Sequence, residues 1–286
     1  MLEPDNRRHL FESLKPPAGY DLDYAVGTTY SLDLNMLLAI PMAFTFFDWE
    51  DENGRLGTDQ MAVLEAIRRY ANRISIFCQR GNIAVPHRSQ QLYVYLEESV
   101  FEAIAPNAGG SFHPKLWVLR FISPEPMVRY RVLCLSRNLT FDRSWDTMLA
   151  LEGNLLDRRR NFGANRPLGD FIASLPDLAL RDLPGEAAQK IDRIQDELRR
   201  VEFDLPDGFK EYKFWPLGIE GHRKWPFQGR IDRMLIISPF ISEGCLERLI
   251  DECGGCVLVS RLGSLEALAP KLLDNFERVC LLMQLQ

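Results

Sequence analysis

Apolar and polar positions follow two rhythms along the first hundred residues. Residues 24–30 (YAVGTTY) are rich in β-formers, and 32–44 run apolar with a helical composition. Over 58–71 the apolar residues Met61, Leu64, Ile67 and Tyr70 recur every third position, and Thr58 is placed to cap a helix. Residues 73–78 (RISIFC) then read as a buried strand. This strand–helix–strand alternation predicts an α/β domain with a mixed, largely parallel sheet flanked by helices. The rhythm changes next. Residues 112–121 (FHPKLWVLRF), 130–135 (YRVLCL) and 147–151 (TMLAL) are three strand candidates joined by short links, and ISPEPM (122–127) carries two prolines and must turn. Three consecutive strands joined this way are expected side by side in one sheet.

From 157 the pattern breaks. The run 157–169 (DRRRNFGANRPLG) reads as a linker or exposed loop, and 186–201 is the clearest amphipathic helix, with Ile191, Ile194 and Leu198 as its apolar stripe. Residues 203–229, rich in proline, look irregular. The opening order then returns, with strands at 234–241, 256–260 and 279–286 and helices at 246–253 and 265–273. The predicted organisation is a first unit over 1–156, a linker and helical insertion over 157–230, and over 231–286 the start of a second, similar unit without the three-strand block.

Composition narrows the class. The 286 residues are 46% hydrophobic and 26% charged, which fits a soluble globular protein. A net charge of −6 argues against a protein that coats nucleic acid indiscriminately. The polar start lacks a signal-peptide core, and no apolar run reaches the ~20 residues of a spanning helix. A cytoplasmic protein without membrane association is expected. The six cysteines read as reduced thiols. In Cys253-Gly-Gly-Cys256 the glycines end a helix before the next strand. No Cys/His/Asp cluster has metal-ligand spacing, so neither metal nor other cofactor is expected.

The candidate chemistry lies in the middle block. His113-Pro-Lys115 begins an apolar strand, and alternation puts both polar side chains on one face. Ser136-Arg-Asn138 ends the next strand, and Glu152 ends the third. If these strands are neighbours, imidazole, ammonium, hydroxyl, amide and carboxylate meet at one sheet end. A neutral imidazole attacks phosphorus, lysine and asparagine donate to phosphate oxygens, and a carboxylate fixes the imidazole tautomer.

The set His113-Pro-Lys115, Ser136-Arg-Asn138 and Glu152 resembles the HxK…SxN…E signature of the phospholipase D superfamily. The resemblance implies a fold of similar half-domains, each giving one motif to a shared site. It implies His113 as nucleophile or general acid, Lys115 and Asn138 on the phosphate, and Glu152 orienting the histidine. Ser136, Arg137 and Arg120 are the expected substrate-binding residues. Arg120 stands where many members carry the motif Asp, and Leu135 stands where a glycine is usual. Loss of that Asp resembles the branch of tyrosyl-DNA phosphodiesterases and metal-independent restriction endonucleases. The function implied is a metal-independent phosphodiesterase acting on nucleic acid, DNA foremost, through a phosphohistidine, in DNA processing or phage defence. A homodimer or a further C-terminal half would complete the site. The alternative is a binding half-site that holds phosphate without turnover, and a lipid phosphodiesterase ranks below both. Ten Lys or Arg against five Asp or Glu between His113 and Arg166 favour a phosphate ligand. Arg158–Arg160 read equally as a solvated loop. Trp117 and Trp145 can stack bases, although Trp117, mid-strand, reads as core.

Overall fold

The structure is a computed structural model that describes residues 10–45, 60–86, 91–125, 127–141, 146–157, 161–222, 224–227 and 229–282. Thr58, Trp145 and Arg158–Arg160 lie outside these. The chain divides into two units, 1–223 and 224–286.

The first unit runs α1 (Leu10–Leu14), β1 (Asp21–Thr29), β2 (Leu32–Asp33), α2 (Leu34–Ala43), α3 (Gln60–Tyr70), β3 (Ile74–Gln79), β4 (Ile83–Ala84), β5 (Val100–Ala103), β6 (Leu116–Ile122), β7 (Val128–Leu135), β8 (Met148–Leu155), α4 (Arg166–Leu178), α5 (Gly185–Leu198) and β9 (Val201–Phe203). Its seven-stranded sheet has the order β5-β3-β1-β6-β7-β8-β9. The expected mixed sheet is present, but its parallel pairs are confined to β1–β3 and β3–β5. Every pair from β1–β6 to β8–β9 is antiparallel. The cause is connection length: helices α2 and α3 carry the chain back over the sheet between β1 and β3, whereas residues 123–127 between β6 and β7 are too few for a crossover.

Alternation divides the strand side chains between two cores. Ala25, Ile76, Trp117 and Leu119 face one way and pack with Leu37 and Ile40 of α2 and Ile67 of α3. Tyr24, Val26, Phe77, Val118 and Tyr130 face the other way and pack with Ile172 and Leu175 of α4 and Ile191, Ile194 and Leu198 of α5. The stripe read from the sequence is therefore the buried face of α5, and each such aliphatic side chain contributes roughly 1.5–3 kcal/mol. The segment read as linker and helical insertion supplies α4, α5 and the edge strand β9 to this unit. Asn165 anchors it: its amide, wholly buried, donates to the carbonyls of Leu198 and Val201 at 2.9 and 2.8 Å.

The second unit runs β10 (Met234–Ile237), α6 (Glu243–Glu252), β11 (Cys256–Ser260), α7 (Leu262–Glu266), α8 (Pro270–Leu273) and β12 (Arg278–Leu281). Its sheet, β10-β11-β12, is parallel throughout. That is the order and sense of β1-β3-β5 in the first unit. Its core gathers Leu246, Cys256, Leu258, Leu265, Leu268 and Phe276. The Cys253-Gly-Gly-Cys256 run is the junction between α6 and β11, as the glycines suggested. Among the described residues, no helix is long and apolar enough to cross a membrane.

Candidate active site

The carboxyl end of β1 is where the site is assembled. Thr28 and Thr29, both buried, end that strand as hydroxyl clasps. Thr28 Oγ1 accepts the N–H of Leu116 at 2.9 Å, which fixes the start of β6. Thr29 Oγ1 accepts the N–H of Leu139 at 3.0 Å and donates to the carbonyl of Ser31 at 2.8 Å. Leu139 in turn accepts the N–H of Asp33 at 2.8 Å. The turn after β7 is thus tied to the segment after β1. One rung holds the other strands in step: the N–H of Leu135 donates to the carbonyl of Lys115 at 2.9 Å.

This scaffold brings His113, Lys115, Ser136 and Asn138 to one edge. The ring of Tyr30 lies 4.6 Å from the imidazole of His113, tilted by 49°. The backbone N–H of Tyr30 donates to Oδ1 of Asn138 at 3.3 Å, so Tyr30 bridges the two motifs and leaves the Asn138 amide hydrogens for a ligand. Nζ of Lys115 lies 3.1 Å from Nδ1 and 3.3 Å from Nε2 of the same imidazole. The approach to His113 is anchored where Phe112 N–H donates to Oε1 of Gln79 at 2.5 Å. His113 is exposed, and Lys115 and Asn138 are half-buried. Partial burial and the Lys115 ammonium hold the His113 pKa below the ordinary histidine value. Burial also lowers the pKa of Lys115. The imidazole is thereby favoured in its neutral, nucleophilic form.

Ser136 joins the edge in a different way from the one expected. Its Oγ accepts the N–H of Thr147 at 2.8 Å and donates to Oδ1 of Asp146 at 3.0 Å. It therefore closes the turn leading into β8. Arg137 folds back on the same turn, donating through Nη2 to the carbonyl of Thr140 at 2.7 Å, with Nη1 3.8 Å from Asp146.

Two predicted residues are not brought to this edge. β8 runs to Leu155, and its N-terminal end is the one beside Ser136. Glu152 consequently lies four rungs further along, about 13 Å away. There it pairs with Arg131 at 2.7 Å and Arg129 at 3.1 Å. Strand polarity, invisible in a motif order, separates Glu152 from His113. Arg120 lies five residues along β6 from Lys115 and is buried under α5. It donates to both oxygens of Glu197 at 2.8 and 3.0 Å and to Asp23 at 2.8 Å. Tyr130 donates to the same Glu197 at 2.6 Å. Arg120 is thus a structural cation inside the second core. The basic surplus of the middle block is likewise spread out, with Arg129 and Arg131 on Glu152 and Arg166 3.8 Å from Asp170. Trp117 is fully buried, as its mid-strand position suggested.

Thr28, Thr29, Tyr30 and Asp146 contact the motif segments without belonging to the motif. The sequence signal for the first three was the Thr-Thr-Tyr run at a strand's carboxyl end. Asp146 carried none, being a lone acid in a loop. Among the described residues, no group of three or more His, Cys, Asp or Glu is arranged to hold a metal ion.

No family model matches the chain, and no curated protein matches it. Among solved structures the chain is similar to crystal structures of the yeast tyrosyl-DNA phosphodiesterase. For one histidine-to-alanine mutant the identity is 10%, over 87% of this chain and 60% of that chain, with a TM-score of 0.45. For the enzyme without mutation the identity is 12%, over 67% of this chain and 37% of that chain, with a TM-score of 0.40. For a histidine-to-asparagine mutant the identity is again 12%, over 67% and 36%, with a TM-score of 0.39. The matched part spans between about a third and three fifths of the length of those chains.

Proposed function

We propose that the chain is a phosphodiesterase of the phospholipase D type acting on nucleic acid, DNA foremost, through a phosphohistidine at His113. One observation carries the reading: an exposed imidazole biased to its neutral form stands beside an ammonium and an amide whose donors can meet phosphate oxygens. In the first step a ring nitrogen of His113 forms a bond to phosphorus while the P–O bond to the leaving alcohol breaks. A general acid delivers a proton to that oxygen. Water then attacks phosphorus, the N–P bond breaks, and the conjugate base of that acid takes the water's proton, leaving a phosphomonoester and a free imidazole. Lys115 and Asn138 carry the charge that builds on the non-bridging oxygens in both steps.

A second reading is favoured by the histidine content. The second unit contains no histidine, so within these residues it cannot supply a second imidazole. Without a partner copy, the edge at His113 would be a half-site that binds phosphate and does not turn over.

The test is hydrolysis of bis(para-nitrophenyl) phosphate and of a labelled oligonucleotide. The enzyme reading expects His113→Ala to lose activity by a factor of at least about a thousand, as removal of a nucleophile does. It also expects full activity in EDTA. Activity that survives His113→Ala, or that chelator removes, would overturn it. Phosphate-ligand binding by an inert wild-type chain would establish the half-site instead.

A further inference from the structure

We propose that the second unit carries a contact site for an unpaired nucleotide of single-stranded nucleic acid, made by Phe240 and Arg261. The choice of ligand rests on the nucleic-acid reading above; the site itself rests on separate observations.

The first is the side-chain arrangement. Phe240 is 68% exposed, an aromatic ring left in water, and the Arg261 guanidinium lies over it with Cζ 4.1 Å from the ring centroid. Arg261 is itself exposed. Its Nε donates to Oγ of Ser264 at 3.1 Å, and that hydroxyl donates to the carbonyl of Pro239 at 2.7 Å. The two bonds form a short relay from the guanidinium to the backbone beside the ring. They hold the stack in place and use only the Nε hydrogen, so the terminal Nη groups remain to take phosphate oxygens in a fork.

The second is position. Phe240 follows the carboxyl end of β10, and Arg261 directly follows β11. Ligands of open parallel sheets bind outside the carboxyl ends of the strands. The first unit places comparable residue types after the corresponding strands: Tyr30 directly follows β1, beside His113, where Phe240 comes third after β10, and the exposed Arg80 directly follows β3 as Arg261 follows β11. The parallel triplets β1-β3-β5 and β10-β11-β12 thus present an aromatic residue and an arginine at corresponding edges. In the first unit that edge carries the candidate catalytic group. In the second there is no histidine, and the aromatic–arginine pair remains. Such a pair suits a base on a π-face with its phosphate on a cation, which is how proteins hold single strands without reading sequence.

The experiment uses the full chain and a fluorescein-labelled oligothymidylate about a dozen nucleotides long, followed by anisotropy over a range of salt. Phe240→Ala is expected to raise Kd about tenfold or more with the salt slope unchanged. Arg261→Ala is expected to raise Kd and reduce the slope of log Kd against log salt by about 0.7, the signature of one lost phosphate contact. Phe240→Trp is expected to keep binding, and Arg261→Lys to keep the slope. Hydrolysis of bis(para-nitrophenyl) phosphate, which has no neighbouring base, is expected to be the same in all variants. Both residues are exposed, and thermal unfolding of each variant checks that the unit stays folded. A wild-type chain that does not bind the oligonucleotide, or alanine variants that bind within twofold of it, would overturn the proposal. The expected binding pattern in a protein inert toward the diester would support the contact site while overturning the catalytic reading.

Discussion

An imidazole attacks phosphorus only while a ring nitrogen keeps its lone pair, so the protonation of His113 sets the acid limit of the proposed reaction. Partial burial and the Lys115 charge both disfavour the imidazolium. The neutral form therefore persists below about pH 6.5, the ordinary midpoint for histidine. Lys115 must stay protonated to hold phosphate, and burial lowers its pKa, so the alkaline limit falls below the ordinary lysine value of about 10.4, and lower still where the leaving-group acid is an imidazolium. A profile of kcat/KM against pH is expected to be bell-shaped, with its acid limb below about 6.5 and its alkaline limb below about 10.4. In Lys115→Met the acid limb is expected to move upward, because the neighbouring charge is gone, while the maximum drops. An acid limb that stays put in that variant would show that His113 does not titrate it. At this scale the residues with local logic were readable in part: His113 and Lys115, two polar groups spaced by two, do meet, although both lie in the segment leading into β6 and not on the strand itself. Arg120 and Glu152 were not readable, because their roles depend on which strand end and which helix they face. That is set by chain reversal and by Glu197, 77 residues away.

Between elements, the site depends on a join that no motif describes. β1 contributes no catalytic group, yet its last two threonines hold both motif segments, Thr28 through Leu116 and Thr29 through Leu139. Thr29→Val keeps the shape and removes the hydroxyl, so the buried N–H of Leu139 loses its acceptor. The expected cost is about 1–3 kcal/mol of stability, measured by urea unfolding. With the turn released, Asn138 loses its register against Tyr30, and kcat on the small diester is expected to fall more than KM changes. Thr29→Ser restores the acceptor and is expected to recover most of both. A valine variant with wild-type kcat would show that the clasp does not position Asn138. Element type and order were largely legible, since the period of apolar residues reports them directly: the strand at 73–78, the helix stripe of Ile191, Ile194 and Leu198, and the closing β-α-β-α-β run all appear. The sense of the sheet was legible only in part, because it follows from connection geometry. The docking of 161–203 onto the first unit was hidden, because Asn165 and Glu197 are polar residues buried by partners that local pattern does not reveal.

For the molecule as a whole, the number of imidazoles decides what the chain can do alone. The sequence holds four histidines, and the second unit has none of them. His222 is engaged with Asp170 at 3.0 Å, and His9 and His87 lie outside the described residues. A phosphohistidine route needs a nucleophile and, on the opposite side of phosphorus, an acid for the leaving oxygen. Were the second drawn from His113 of another copy, a two-fold axis would make one edge serve both roles. Mixing discriminates this from a self-sufficient chain. When wild type is allowed to exchange with a tenfold excess of His113→Ala, random pairing places most wild-type copies opposite a mutant, and activity is expected to fall roughly tenfold. If each chain works alone, the mutant is an inert diluent and wild-type activity is unchanged. Sedimentation of the same samples supplies the second constraint. A chain that stays monomeric at the assay concentration and still hydrolyses the diester must draw its leaving-group acid from its own residues, and the two-copy site would then be excluded.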